Sequence, residues 1–176
     1  MFSEYIPRHC TQCGTPLVSR WIMEEERERL VCPSCRWIAY LNPKVAACTI
    51  PVDADGRILL VKRAIEPGYG LWVIPGGYVD LGETVREAAI RETYEETGVR
   101  VQLEQLVDAY SYPDSAVVVV VYAARMVEGT PQVGRECLDV ALFDTRELPW
   151  QHLAFRSTNE ALTDYLSSGN KGRRPV

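Results

Sequence analysis

Two Cys-x2-Cys pairs, Cys10 with Cys13 and Cys32 with Cys35, constrain the start of this chain more tightly than any other feature of its sequence. A segment of this length buries too little apolar surface to hold itself together, so the cysteines must supply part of the fold. Two tight knuckles separated by eighteen residues can set four thiolates at tetrahedral corners, the arrangement of a structural zinc ribbon. Disulfides and redox-active pairs are the alternatives. The opening stretch "MFSEYIPRHC" has no apolar run resembling a signal peptide, and two pairs at this spacing favour zinc. Gly14 supplies a permissive backbone after the first pair, and "CPSC" places turn residues inside the second. Metal binding is then expected to provide much of the folding free energy of segment 1–41. "TPLVSRWIMEEERERLVC" between the knuckles reads as two strands around a solvated, charged turn. His9 and His152 are isolated; His9, beside Cys10, could serve as a spare zinc ligand but reads more simply as incidental. Cys48 and Cys137 lie in the apolar stretches "VAACTI" and "CLDVALF" and read as buried thiols.

A length of 176 residues suits one domain with a small appendage, and 47% hydrophobic with 24% charged residues suits a globular core. The net charge of −5 argues against a broad nucleic-acid-binding face, although a cation could still mediate contact with phosphate. The longest apolar run, "AVVVVVYAA", is too short for a spanning helix and reads as a buried strand. The expected protein is cytoplasmic and makes no membrane contact.

"NPK" at 42–44 marks a break, so the expected domains are the ribbon at 1–41, a main domain at 42–168 and a flexible tail at 169–176. "KVAACTIPVD" and "GRILLVKRA" read as strands joined by the turn "DADG", a plain hairpin without calcium-loop spacing. "EPGYGLW" reads as a glycine-rich loop, and "VIPGGYVDLGE" as a short strand broken by Gly76 and Gly77. A helix over 82–98 follows, closed by Gly98. Strands are expected at 99–112, 115–127 and 138–143, with a last helix near 155–167. This order gives an α/β or α+β fold, a mixed sheet with helices packed on it.

The helix "GETVREAAIRETYEETG" raises a physical difficulty, because Glu92 shares a face with both Glu95 and Glu96. On a wheel of about 100° per residue, the apolar Val85, Ala88 and Ala89 lie on that same face. A solvated helix would put its charges opposite the apolar stripe. Here the stripe turns acidic, as if leading from core into cleft. Ile90 and Tyr94 lie on the far side, so the helix is expected to be covered from two directions. Carboxylates crowded in a partly desolvated cleft raise one another's pKa, and a hard divalent cation such as Mg2+ removes the conflict.

From Gly77 the chain reads G-x5-E-x7-R-E-x-x-E-E-x-G-V, with Glu83, Arg91, Glu92, Glu95, Glu96, Gly98 and Val99 in register across 23 residues. This resembles the signature of the Nudix hydrolases, departing at Thr93, where that family usually has an aliphatic residue. The resemblance implies a Nudix α/β/α sandwich with a mixed sheet. It also implies cleavage of a diphosphate joining a nucleoside to another group, using Mg2+ or Mn2+. Carried over, Glu92 and Glu96 are the main metal ligands, Glu95 a further ligand or the base, and the Gly76 carbonyl another donor. Arg91 orients the glutamates, Glu83 fixes the loop, and Glu136 in "GRECLD" stands where related enzymes place another carboxylate. Arg63 is a candidate phosphate clamp. Tyr69, Trp72, Tyr78, Tyr110 and Tyr112 are candidates to stack on a base, with Trp72, Tyr78 and Tyr112 preferred.

A four-cysteine ribbon ahead of such a domain resembles the NADH pyrophosphatases and the plant-type FAD and ADP-ribose pyrophosphatases. The NADH group carries S-Q-P-W-P-F-P-x-S, whereas "DAYSYPDS" here keeps Pro113 and Ser115 but lacks the tryptophan and phenylalanine. "GLWVIPGGYVDLGE" and "LAFRST" resemble the plant-type group, so FAD or ADP-ribose is the expected substrate, with AMP released. The alternatives are NADH or NAD-capped RNA, and a nucleotide-sensing zinc-ribbon protein without turnover. A homodimer is the expected assembly.

Overall fold

The computed structural model of the chain describes residues 6–168. The chain forms two compact units. One is built from the chain up to Pro43 together with Pro113–Ala116, the other from Lys44–Tyr112 and from Val117 onward.

The first unit carries a three-stranded antiparallel sheet, β1 (Val18–Ile22), β2 (Arg27–Val31) and β3 (Ile38–Ala39). Val18 pairs with Val31 and Ile22 with Arg27, so "MEEE" makes the turn, as its charge pattern requires. β3 adds a third strand that the sequence pattern did not announce, pairing Leu30 with Ala39. Of the apolar side chains and thiols in this unit, Cys10, Val31, Cys32 and Ala39 are buried, too few to make a core without the cysteines.

The second unit is built on a seven-stranded mixed sheet. Its strands are β4 (Lys44–Val52), β5 (Ile58–Arg63), β6 (Trp72–Val73), β7 (Gly76–Tyr78), β8 (Arg100–Tyr110), β9 (Val117–Glu128) and β10 (Cys137–Phe143). The path runs β10-β5-β4-β9-β8, with β6 on β5 and β7 on β4. β4 and β9 are parallel, the other pairs antiparallel. The expected hairpin turn closes through the Asp53 carboxylate, which accepts from the Asp55 and Arg57 N–H groups and the Arg57 guanidinium.

Two helices, α1 (Val85–Thr97) and α2 (Arg156–Ser168), lie on opposite faces of this sheet. Strand alternation shows it: Ala47 packs with Ala88 and Ala89 of α1, while its neighbour Cys48 packs with Ala161 and Leu162 of α2. On β9 the same split sends Tyr122 toward α1 and Val121 toward α2. The arrangement is a three-layer α/β/α sandwich. Ile50, Ile58, Leu60, Val121 and Leu162 are fully enclosed at its centre. None of the described helices is long and apolar enough to cross a membrane.

Two expectations need correction. Gly76 and Gly77 do not interrupt a strand; they form β7, paired with Cys48 and Ala47 of β4. Nor is α1 covered from two directions among the described residues, since Ile90 and Tyr94 are exposed, the Tyr94 ring lying under the Arg100 guanidinium. The helix begins at Val85, three residues after Gly82, because Thr84 and Glu87 cap each other reciprocally at its N-terminus. It ends where Gly98 turns left-handed, at φ 69°. The tail at 169–176 lies outside the described residues.

Candidate metal centres and active site

In the first unit the cysteines converge. Sγ of Cys10 lies 3.6 Å from Cys35, Cys13 lies 3.4 Å from Cys32 and 3.7 Å from Cys35, and all four sulfurs fall within 4.8 Å of one another. Four thiolates around a tetrahedral zinc with bonds near 2.3 Å stand about 3.8 Å apart, so the donor set and its spacing fit that ion. The two knuckles repeat one design. Cys10 N–H donates to Thr15 O and Cys32 N–H to Trp37 O, while Gly14 N–H returns to Cys10 O and Arg36 N–H to Cys32 O. The residue after each pair is left-handed, Gly14 at φ 73° and Arg36 at φ 63°. Gly14 adopts this freely, whereas Arg36 adopts it under the constraint of the closed knuckle. Hydrogen bonds with Thr15, from its side chain and then its backbone, bring the Cys13 thiol down to about 6, toward the thiolate that binds metal. His9 stands outside the group.

In the second unit, α1 supplies the glutamates and β7 supplies the surface against which they lie. Gly76 N–H donates to Glu96 Oε2 at 2.9 Å. A Cβ on Gly77 would stand 2.5 Å from the Glu92 carboxylate, and one on Gly76, at φ 153°, would stand 2.5 Å from Ala47 O and Cys48 Sγ. The glycine pair is therefore what lets helix and strand approach. Arg91 is the hub. Its Nε and Nη2 hold Glu83 at 3.0 and 2.7 Å, Nη1 donates to Glu92 at 2.9 Å and Glu95 at 3.0 Å, and Nη2 also reaches Tyr78 O at 3.1 Å. That arrangement offsets the repulsion of the acidic face and ties the loop ahead of the helix to its second half.

A third carboxylate-bearing segment arrives from outside the helix. Gly134 N–H donates to Glu96 O, and a Cβ on Gly134 would stand 2.6 Å from Glu95 O. Ala64 N–H donates to Glu136 O. Glu136 is thereby pinned between the end of β5 and the end of α1, near enough for its charge to act on Glu92 and Glu96. Burial pushes Glu96 up to about 7; the Gly76 N–H opposes this, the charges of Glu92 and Glu136 add to it, and Arg63 counters. Burial also raises Glu92, against the pull of Arg91. Glu95 is the exposed member, its side chain 57% accessible against 18% for Glu92.

Among the described residues, the four thiols alone are gathered closely enough to hold an ion as they stand. The glutamates are divided between two donors, Glu92 and Glu95 on Arg91 Nη1 and Glu96 on the Gly76 N–H. Their chemistry nevertheless suits a hard cation: oxygen donors only, two of them raised in pKa, against a backbone stripped of side chains.

The structure ties Arg63 and Tyr78 to this cluster, Arg63 through its charge on Glu96 and Tyr78 through its carbonyl on Arg91. Arg63 is fixed by Nε donating to Pro67 O and by its guanidinium lying 5.0 Å over the Phe155 ring; its terminal nitrogens have no hydrogen-bond partner among the described residues. The Lys44 ammonium lies over the exposed Tyr78 ring. Trp72 instead packs edge-on against Phe143 at 5.0 Å, Tyr110 is buried with its hydroxyl on Asp164, and the Tyr112 hydroxyl donates to Glu160 beneath Arg156. Tyr69 is exposed. Cys48 and Cys137 are buried, raised to about 12 and about 11 chiefly by that burial, then by Glu96. Sequence reasoning missed Gly134, whose only signal was a glycine two residues before Glu136. It also missed Thr49, whose buried hydroxyl lies 2.6 Å from that of Thr93.

Comparison with known proteins agrees with this geometry. The pattern described as NUDIX domain matches residues 42–166, and the one described as Nudix N-terminal, a zinc ribbon, matches residues 8–41. An ADP-ribose pyrophosphatase of Methanocaldococcus jannaschii is 37% identical over 131 residues, covering 72% of this chain and 75% of that protein. The NAD-capped RNA hydrolase NudC of Chromobacterium violaceum is 31% identical over 144 residues, covering 81% of this chain but 52% of that protein, so the chain spans about half its length. A crystal structure of a NUDIX hydrolase from Nitrosomonas europaea superposes with a TM-score of 0.88 at 36% identity, covering 97% of this chain and 96% of its own.

Proposed function

The chain belongs to the Nudix family and is a Nudix hydrolase; from that premise we propose that it cleaves the diphosphate of a nucleoside diphosphate linked to another group, with ADP-ribose favoured and FAD next. The observation that carries this reading is the close approach of the Gly76–Gly77 strand to Glu92 and Glu96, with Arg91 holding the flanking carboxylates. The similarity to an ADP-ribose pyrophosphatase supports the substrate. So does the divergence of "DAYSYPDS" from the array expected of an NADH enzyme.

In this reading Glu92, Glu96, Glu95, Glu136 and the Gly76 carbonyl offer oxygens to Mg2+ or Mn2+. A divalent ion there supplies charge neutralisation for the diphosphate and acidifies the attacking water. Glu95, accessible and held by Arg91, is placed to accept a proton from that water. Arg63, anchored at Nε and on its flat face, presents its terminal nitrogens to a phosphate oxygen, the bidentate geometry that guanidinium favours. The water oxygen bonds to one phosphorus, the bridging P–O bond breaks, and the bridging oxygen leaves with the other phosphate. ADP-ribose and water thus become AMP and ribose 5-phosphate. The four thiolates of the ribbon hold one zinc ion with a structural role.

The test incubates the purified chain with Mg2+ and, separately, ADP-ribose, FAD and NADH, and identifies the products. AMP is expected, fastest from ADP-ribose, and lost in folded Glu92→Gln and Glu96→Gln variants. AMP release undiminished in both variants overturns the site. Metal analysis is expected to find about one zinc per chain.

A further inference from the structure

Resting on the nucleoside-diphosphate reading above, we propose that the hollow between segment 150–155 and the first turns of α2 receives the substrate's nucleobase, an adenine-type purine stacked on Trp150 and read by Asn159.

The hollow measures about 330 Å³ and is lined by Trp150, Leu153, Ala154, Phe155, Arg156 and Asn159, with Glu160 at its edge. That volume is at the lower end of small-molecule sites and suits one ring system rather than a whole dinucleotide. Its floor is joined to the strand that leads to the carboxylates. Ala154 N–H donates to Trp72 O, Leu153 bridges to Trp72, and the chain runs from Trp72 through Val73 to Gly76. Phe155 has two duties: it lines the hollow and carries the Arg63 guanidinium on its ring. Arg63 in turn is tied to the loop beneath it, through Pro67 O and by backbone bonds to Leu71 and Gly70. A molecule seated against Phe155 therefore has the Arg63 guanidinium beside it, and a phosphate attached to it would meet that cation first.

The lining decides which end of the substrate belongs there. Arg156 and Glu160 pair with each other at 2.8 Å, Arg156 also lies over Tyr112, and Glu160 accepts from the Tyr112 hydroxyl. Their charges are engaged, which disfavours the hollow as a second phosphate site. What remains is neutral: the half-open Trp150 ring and the Asn159 side-chain amide, which has no hydrogen-bond partner among the described residues. An amide sets a donor beside an acceptor, the complement of the adenine N6/N7 edge, and a tryptophan face is a stacking surface for a base. Neither residue belongs to the Nudix signature, and neither side chain makes a hydrogen bond among the described residues.

Isothermal titration of the full chain, in Mg2+, with AMP and with ribose 5-phosphate tests the assignment. Trp150→Ala and Asn159→Leu are each expected to weaken AMP binding by about 5- to 100-fold while leaving ribose 5-phosphate unchanged. Both side chains are at the surface, so circular dichroism is expected to show intact folds. AMP bound by Trp150→Ala within twofold of the unmodified chain overturns the proposal, as does an unmodified chain that binds AMP no better than ribose 5-phosphate. The same preparations separate the two ideas. Turnover of ADP-ribose with an unaltered KM in Trp150→Ala removes the base site and leaves the hydrolase standing. AMP held through Trp150 without turnover of any diphosphate keeps the base site and removes the proposed reaction.

Discussion

The four thiols of the ribbon and the glutamates of α1 are two answers to the problem of placing several anionic ligands together. The ribbon draws its ligands from two local turns of near-identical hydrogen bonding, so each pair is preset by its own knuckle. Its ligands already stand at metal spacing, and little else in that unit is buried. The acidic cluster is assembled from β7, α1 and the segment around Gly134, separated by as many as sixty residues of sequence. Its carboxylates are held by Arg91, which takes Glu92 and Glu95 on one nitrogen, and by the Gly76 N–H, which takes Glu96. One cluster is the fold of its unit; the other is a load on the fold of its unit. Glu95 and Glu96 add to that load by standing in the last turn of α1, where the helix dipole disfavours negative charge. Soft ligands closed around an ion suit structure, and hard ligands with exposed positions suit catalysis.

The comparison breaks most visibly at Cys32→Ser. Losing a buried thiolate ligand is expected to abolish metal retention and unfold the ribbon, since structural zinc contributes on the order of 10 kcal/mol. Metal analysis and hydrogen exchange over residues 8–41 read this, and a ribbon that stays protected without metal would end the claim.

Gly77→Ala is the counterpart in the other unit. Its methyl would stand 2.5 Å from the Glu92 carboxylate, so activity is expected to fall by about 100-fold, as misplacement of a reacting group by an ångström does. A variant with unchanged kcat would show that Glu92 need not lie against β7.

The load itself is measurable through Glu96. Its folded pKa, about 7, lies above that of an ordinary glutamate, so the folded chain binds the extra proton between roughly pH 4.5 and 7. Stability of the metal-free protein should therefore decline as pH rises through that window, by up to about 3 kcal/mol. Glu96→Gln, which keeps an oxygen for the Gly76 N–H, is expected to be catalytically dead yet to melt higher than the parent at pH 8 without metal. Denaturant titrations at pH 5 and pH 8 decide it; a lower midpoint for the variant at pH 8 contradicts the account.

The smallest expected effect concerns how α1 is seated. Thr93 donates to Ala89 O, so Thr49 must supply the proton of the hydroxyl pair between them. Thr93→Val leaves the Thr49 hydroxyl buried without that partner and should cost about 1–3 kcal/mol, much of it recovered in the Thr49→Val, Thr93→Val double variant. A loss in the double variant equal to the sum of the losses in Thr49→Val and Thr93→Val would mean that the pair does not couple.

These residues also show how far the primary structure could be read. The knuckles were legible because C-x-x-C turns are local. The reach of α1 was legible because Gly98 and the Val85–Ala88–Ala89 stripe are local, and the signature around Glu92 pointed to the sandwich. Thr93 looked like a mild irregularity in that signature, because its partner is 44 residues away on β4. Gly76 and Gly77 looked like an interruption, because a glycine pair reads as a break until a second strand and a carboxylate crowd it from both sides. Trp72 reads as a candidate to stack on a base, and only the fold shows its ring edge-on to Phe143 with the Lys62 ammonium over it.

The sequence by itself determined which atoms are offered: four thiols at knuckle spacing, three glutamates on one helical face with an arginine among them, and glycines where side chains would obstruct. Only the tertiary structure decided how far each charge is desolvated, which donor holds each carboxylate, and that Phe155 both carries the Arg63 guanidinium and lines a hollow beside α2. Identity and periodicity are properties of the chain, whereas burial and approach depend on segments that meet only when the sheet closes.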